Sequence, residues 1–142
     1  MNISAKTEYA CLAVLELAAR YGSGEPVRVR SIAETHGVPA RFLVQILLQL
    51  KGAGLVESTR GAAGGYRLLR EPGDITLAEV MAIIEGPATE LKSNADKTTP
   101  TGGALLDTWR TVAEAEQEML SGVTFADLVE RARGRAEGMY YI

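Results

Sequence analysis

Between Ser58 and Leu68 the chain reads STRGAAGGYRL, which sets Gly61, Gly64 and Gly65 between Arg60 and Arg67. Glycines beside cations suit two kinds of chemistry. In a phosphate-cradling loop, backbone N–H groups close round an anion at the start of a helix. In a β-hairpin, glycines supply the positive φ angles of a tight turn, Gly64 among them here, and the tip carries an arginine outward. The next residues, YRLLREPGD, are strand-like and proline-terminated, and no Lys-Ser/Thr pair follows the glycines. The hairpin reading therefore prevails, with AGLVEST leading in and GYRLLR returning.

Other reactive groups are sparse. The single cysteine, Cys11, excludes an intrachain disulfide and a cysteine-only metal site, and its densely apolar surroundings predict an inert buried thiol. His36 and Asp96 do not assemble a ligand set, so no metal or other cofactor is expected. No nucleophile–base pair or carboxylate dyad stands in a catalytic setting, which argues against an enzyme. Charge is unevenly placed. Residues 1–70 hold nine Lys/Arg against five Asp/Glu, whereas 71–142 hold six against thirteen. Within 28–70 the count is seven against two, which places a candidate nucleic-acid face in the first half. No apolar run approaches the ~18 residues of a membrane-spanning helix, and the first residues read as a mature helix, so a cytoplasmic chain is expected.

The elements that must carry these residues follow from periodicity. Ser4 caps a helix over 5–20 that is apolar nearly all round, the pattern of a helix that is central or lies between subunits. Val27 to Val29 reads as a short strand, and Ser31 to Thr35 as a short helix broken at Gly37. A second helix starts at Pro39, in its first turn, and runs to Lys51. Its buried stripe is Leu43, Ile46, Leu47 and Leu50, which turns Arg41, Phe42, Val44, Gln45 and Gln49 away. Short helix, glycine turn, second helix and glycine-rich hairpin make a winged helix-turn-helix. Thr76 and Glu79 form a capping box for LAEVMAIIEG, which Gly86-Pro87 stops. A polar loop over 88–103 precedes a helix over 104–121, and Thr124 with Asp127 starts a closing helix. The predicted class is mainly α with a small β-hairpin wing. Its units are a DNA-binding domain (1–87), the polar loop (88–103), and a dimerisation helix with a closing helix (104–142).

The stretches MNISAKTEYACLAVLELA, IAETHGVPARFLVQILLQLKGAGLVESTRGAAGGYRL and DITLAEVMAIIEGP resemble the Rrf-two family of bacterial transcription regulators. The similarity is strong over 1–87 and weaker from Leu105 to Val129. It implies a homodimer whose two winged-helix heads bind a roughly palindromic DNA operator. By position, Pro39, Arg41, Phe42, Val44 and Gln45 lie where recognition-helix contacts are made, and Arg60 where a wing arginine enters the minor groove. Arg28, Arg30, Gly61, Gly64, Gly65 and Tyr66 complete the expected DNA-binding set. Some members carry a carboxylate at the position of Val44, so operator preference should differ, and a valine there suits a thymine methyl. Cluster-binding members place three cysteines in the 88–103 loop. This chain has none there and so resembles the cluster-free branch. Leu105, Trp109, Val112, Met119 and Leu120 are the expected dimerisation residues.

Two functions remain open on the sequence. One is a DNA-binding regulator, most simply a repressor, with an unidentified small-molecule or protein effector. The other is a winged-helix interaction module that docks a metabolic enzyme and binds DNA weakly. The seven cations of 28–70 favour the first.

Overall fold

A computed structural model describes residues 1–86 and 91–140 of the chain. Pro87, the first three residues of the expected polar loop and the last two of the closing unit lie outside the described residues. The described elements run α1 (Ala5–Ala19), α2 (Val29–His36), α3 (Ala40–Gly52), β1 (Val56–Thr59), β2 (Gly65–Leu68), α4 (Leu77–Glu85), α5 (Pro100–Gly122) and α6 (Phe125–Tyr140).

The first helix is central, one of the two placements its all-round apolar sequence predicts. It packs against α2, α3, α4, α6 and β2. Ala10, Ala13 and Val14 are completely buried, and their small side chains let the neighbouring helices approach closely. The Ser4 hydroxyl caps α1 by accepting from the Thr7 N–H at 3.1 Å. Thr7, the buried polar residue of this core, donates its hydroxyl to Glu85 Oε1 at 2.6 Å. That bond satisfies a group whose burial would otherwise be costly, and it ties the start of α1 to the end of α4.

The helix-turn-helix forms from α2 and α3, which bury Ile32, Leu43, Ile46, Leu47 and Leu50. His36, at the end of α2, meets Glu16 of α1 at 2.8 Å, which clips this helix to the hub. Two boundaries differ from the sequence reading. Val27 pairs with Tyr66 as an isolated bridge, while Arg28 already caps α2 and Val29 is helical. Pro39 is the N-cap of α3, with its carbonyl accepting from Phe42 and Leu43, so the helix body begins at Ala40. The hairpin pairs Val56 with Leu68 and Thr59 with Gly65, antiparallel.

Chain closure brings α6 back onto this head. Leu77 N–H donates to Val123 O at 3.0 Å and Phe125 N–H to Ile75 O at 2.9 Å, on either side of a Thr76–Thr124 bridge. Phe125 then enters the core beside Ile75 and Val80, all three fully buried. Thr124 and Asp127, expected to start this helix, form a reciprocal capping box, both bonds at 3.1 Å. The box at α4 is only half made. Thr76 accepts from Glu79 N–H, but the Glu79 carboxylate turns to Arg70.

The helix α5 begins four residues before its expected start. Thr99 accepts from Gly102 N–H at 3.0 Å and Pro100 occupies the first turn, so Gly102 and Gly103 are helical. Gly102 is required there, because a Cβ would overlap the Asp96 carbonyl oxygen. None of the 23 residues of α5 is buried, although the helix rests on α4.

Replacing Phe125 by alanine should leave a cavity that joins α1, α4 and α6. A loss of roughly 3–5 kcal/mol in urea-denaturation stability is expected; a loss below about 1 kcal/mol would show that α6 does not close the core.

Candidate nucleic-acid interface

A helix with one buried stripe has one outward face, and α3 turns that face away from the other elements among the described residues. Leu43, Ile46, Leu47 and Leu50 point into the core, while Arg41, Val44, Gln45 and Leu48 are exposed on the opposite side. Phe42, 53% exposed, sits to one flank. There it shares a surface cavity of about 430 Å³ with Gln45, Ile46 and, from α1, Ala5, Lys6 and Tyr9. Gln49, which the sequence alone turns outward, instead donates its side-chain amide to Ile83 O at 2.9 Å and holds α3 to α4. Leu48 was absent from the expected set. The signal was present in its spacing, seven residues after Arg41 and four after Val44.

The hairpin is set against this helix by its backbone. Val27 and Tyr66 exchange N–H···O bonds of 2.8 Å in both directions. Gly65 makes the approach possible, since a Cβ there would overlap the Val27 carbonyl. The tip uses its other glycines differently from one another. Gly61 has a φ of +102°, which glycine adopts without strain. Gly64 does not have the positive φ expected of it; it is needed because a Cβ would run into the carbonyl oxygen of Thr59.

The cations divide into two groups. Arg28 donates a guanidinium N–H to the carbonyl of Ala62, which braces the wing from outside. Arg70 bridges the Glu79 carboxylate and the Asp74 carbonyl and joins the end of the hairpin to α4. Arg67 lies 3.6 Å from Glu57 across the strands, and Lys51 donates to Ser58 Oγ at 2.8 Å. Arg30 pairs with Glu34 one turn along α2, fully in solvent. Among the described residues, Arg41 and Arg60 have no ion pair and no side-chain hydrogen bond. They stand at the start of the outward helix face and at the base of the wing tip. Tyr66 is half-buried and packs its ring against the core, while Pro39 is exposed at the entry to α3.

Far from this face, α5 exposes Leu105 (47%), Trp109 (47%), Val112 (52%) and Met119 (74%), with Leu120 half-buried. Steps of four, three and seven residues place the first four on one side of the helix, the seam spacing of paired helices. Cys11 is half-buried on α1. Burial, with Glu8 and Glu85 nearby, pushes its thiol up to about 11, so it is protonated and unreactive at neutral pH.

Comparison with known proteins agrees with this geometry. The profile of the Rrf2 family, described as "Iron-dependent Transcriptional regulator", matches residues 3–131. The HTH-type transcriptional regulator CymR of Bacillus subtilis is 36% identical over 143 residues, which covers all of both chains. The solved structure of CymR (YrzC), the global cysteine regulator of B. subtilis, superposes with a TM-score of 0.80 at 33% identity, covering 92% of this chain and 98% of that one. The structure of T. potens IscR gives 0.75 at 34% identity, over 93% of this chain and 88% of that one. Among the described residues no three His, Cys, Asp or Glu side chains gather to hold a metal ion.

Gly64→Ala should displace the wing while sparing the core. Amide exchange at Thr59–Gly65 is expected to quicken by an amount equivalent to about 1–3 kcal/mol of lost local stability, with α1 and α3 protected as before. Unchanged exchange across the hairpin would show that the tip accommodates a side chain.

Proposed function

The chain belongs to the Rrf2 family of transcriptional regulators, and we propose that it acts as a homodimeric, sequence-specific repressor on a roughly palindromic DNA operator, without an iron–sulfur cluster. The observation that carries this reading is the placement of Arg41 and Arg60. They are cations without a partner among the described residues, on the two projecting elements of the head, while Arg28, Lys51, Arg67 and Arg70 are engaged in bracing it. The α3 face lies in the major groove, where Arg41, Val44 and Gln45 meet base edges and Pro39 and Phe42 set the entry of the helix. Arg60 reaches along the backbone into the narrow minor groove, and Gly61, Gly64 and Gly65 let the wing approach the phosphates. Arg28 and Tyr66 serve the same contact by holding the wing at its angle, and Arg30 adds charge beside it. Repression follows from occupancy of the operator.

The dimer reading rests on α5. A single chain leaves its Leu105, Trp109, Val112 and Met119 seam in water, and a two-fold partner covers that seam with its own copy. The cluster-free reading rests on donor chemistry. One cysteine per chain cannot supply three thiolates to a cluster.

Anisotropy on a duplex enriched from a random DNA pool tests the DNA reading. Arg60→Ala should weaken binding by about 1–3 kcal/mol while the fold survives. Wild-type affinity in that variant, on both specific and scrambled duplex, would remove the wing from the interface and favour a protein-docking role. Sedimentation should give a dimer at micromolar concentration; a monomer that still binds the duplex would end the two-fold arrangement.

A further inference from the structure

Leu48 is 54% exposed and Val44 40% exposed, and no other element among the described residues covers either side chain. They lie one turn apart at the centre of the α3 face, between Arg41, Gln45 and Lys51. An isolated exposed leucine needs no explanation. Two branched apolar side chains stacked among the polar residues of an outward helix face form a stripe, and it is continuous with the proposed DNA contact.

In the major groove the apolar group that a base pair offers is the thymine 5-methyl. We infer that Val44 and Leu48 together read the methyl groups of two thymines about two base-pair steps apart in each half-site, Leu48 being a specificity-determining residue. The spacing fits: four residues of helix rise about 6 Å, and two base-pair steps rise about 7 Å. A cytosine at either position would set its amino group against a side chain that can accept no hydrogen bond. Arg41 and Gln45 then read the purine edges on either side. This inference rests on the DNA-binding reading above and assigns the sequence class that the helix prefers.

Deoxyuridine removes only the methyl group, so it isolates the contact. On a duplex enriched from a random pool, each thymine is replaced singly by deoxyuridine, and binding is measured by anisotropy for the wild type, Val44→Ala and Leu48→Ala. Both substitutions lie outside the core, so wild-type melting is expected of each. The wild type should lose roughly fourfold in affinity at each of two positions, the value of one buried methyl-sized group. Leu48→Ala should be indifferent to uridine at one of them and keep the loss at the other, with Val44→Ala showing the reverse. Tight binding that ignores uridine at every position, or a Leu48→Ala variant as sensitive as the wild type at both, overturns the inference and leaves the DNA reading standing. A chain that enriches no duplex at all overturns both.

Discussion

The head of this molecule depends on one short stretch of backbone pairing. Val27 and Tyr66 exchange two hydrogen bonds of 2.8 Å, and the contact is close enough that only glycine fits at position 65. Val27 leads directly into α2, and so to α3; Tyr66 leads out of the wing. A pair of main-chain bonds therefore sets the distance between the helix that faces outward and the arginine that projects beside it. Side chains alone would leave that distance loose, because a two-stranded hairpin is marginal in water without support. Arg28 on Ala62 and Lys51 on Ser58 add bracing from two further directions.

Behind the wing and the helix-turn-helix, α1 is the hub of the core, packed against α2, α3, α4, α6 and β2. Its alanines admit neighbours on every side, and its polar contacts fasten them. Thr7 bonds Glu85 at the end of α4, and Glu16 meets His36 at the end of α2. The positive segment of the sequence thus contains two populations. Arg67 and Arg70 satisfy carboxylates or carbonyls of the fold, whereas Arg41 and Arg60 have no such partner among the described residues.

Much of this was legible in the residues. The stripe at Leu43, Ile46, Leu47 and Leu50 fixed which way α3 faces, and the glycines of STRGAAGGYRL marked the hairpin because periodicity switched on both sides of them. What escaped was set by tertiary contact. Gln49 has the spacing of an outward residue but lies over the Ile83 carbonyl, which no local pattern encodes. Gly102 and Gly103 looked like breakers, yet a threonine cap, a proline and the close Asp96 carbonyl make them the first turn of α5. Glu79 has the right offset for a capping box but finds a guanidinium instead. The division among arginines was likewise invisible, since each reads as one positive charge until its partner is placed.

The anchoring of α5 has a mechanical consequence. Its C-terminal end is fastened through Val123 on Leu77 and Phe125 in the core, so the helix is an arm rooted at the start of α4. Twenty-three residues make an arm about 34 Å long. A tilt of about 5° at the root moves the far end by about 3 Å, close to the rise of one base-pair step. If two such arms pair as proposed, their crossing angle would act as a gauge for the separation of the two heads. A shift of a few degrees would then change the spacing between the heads without altering either head.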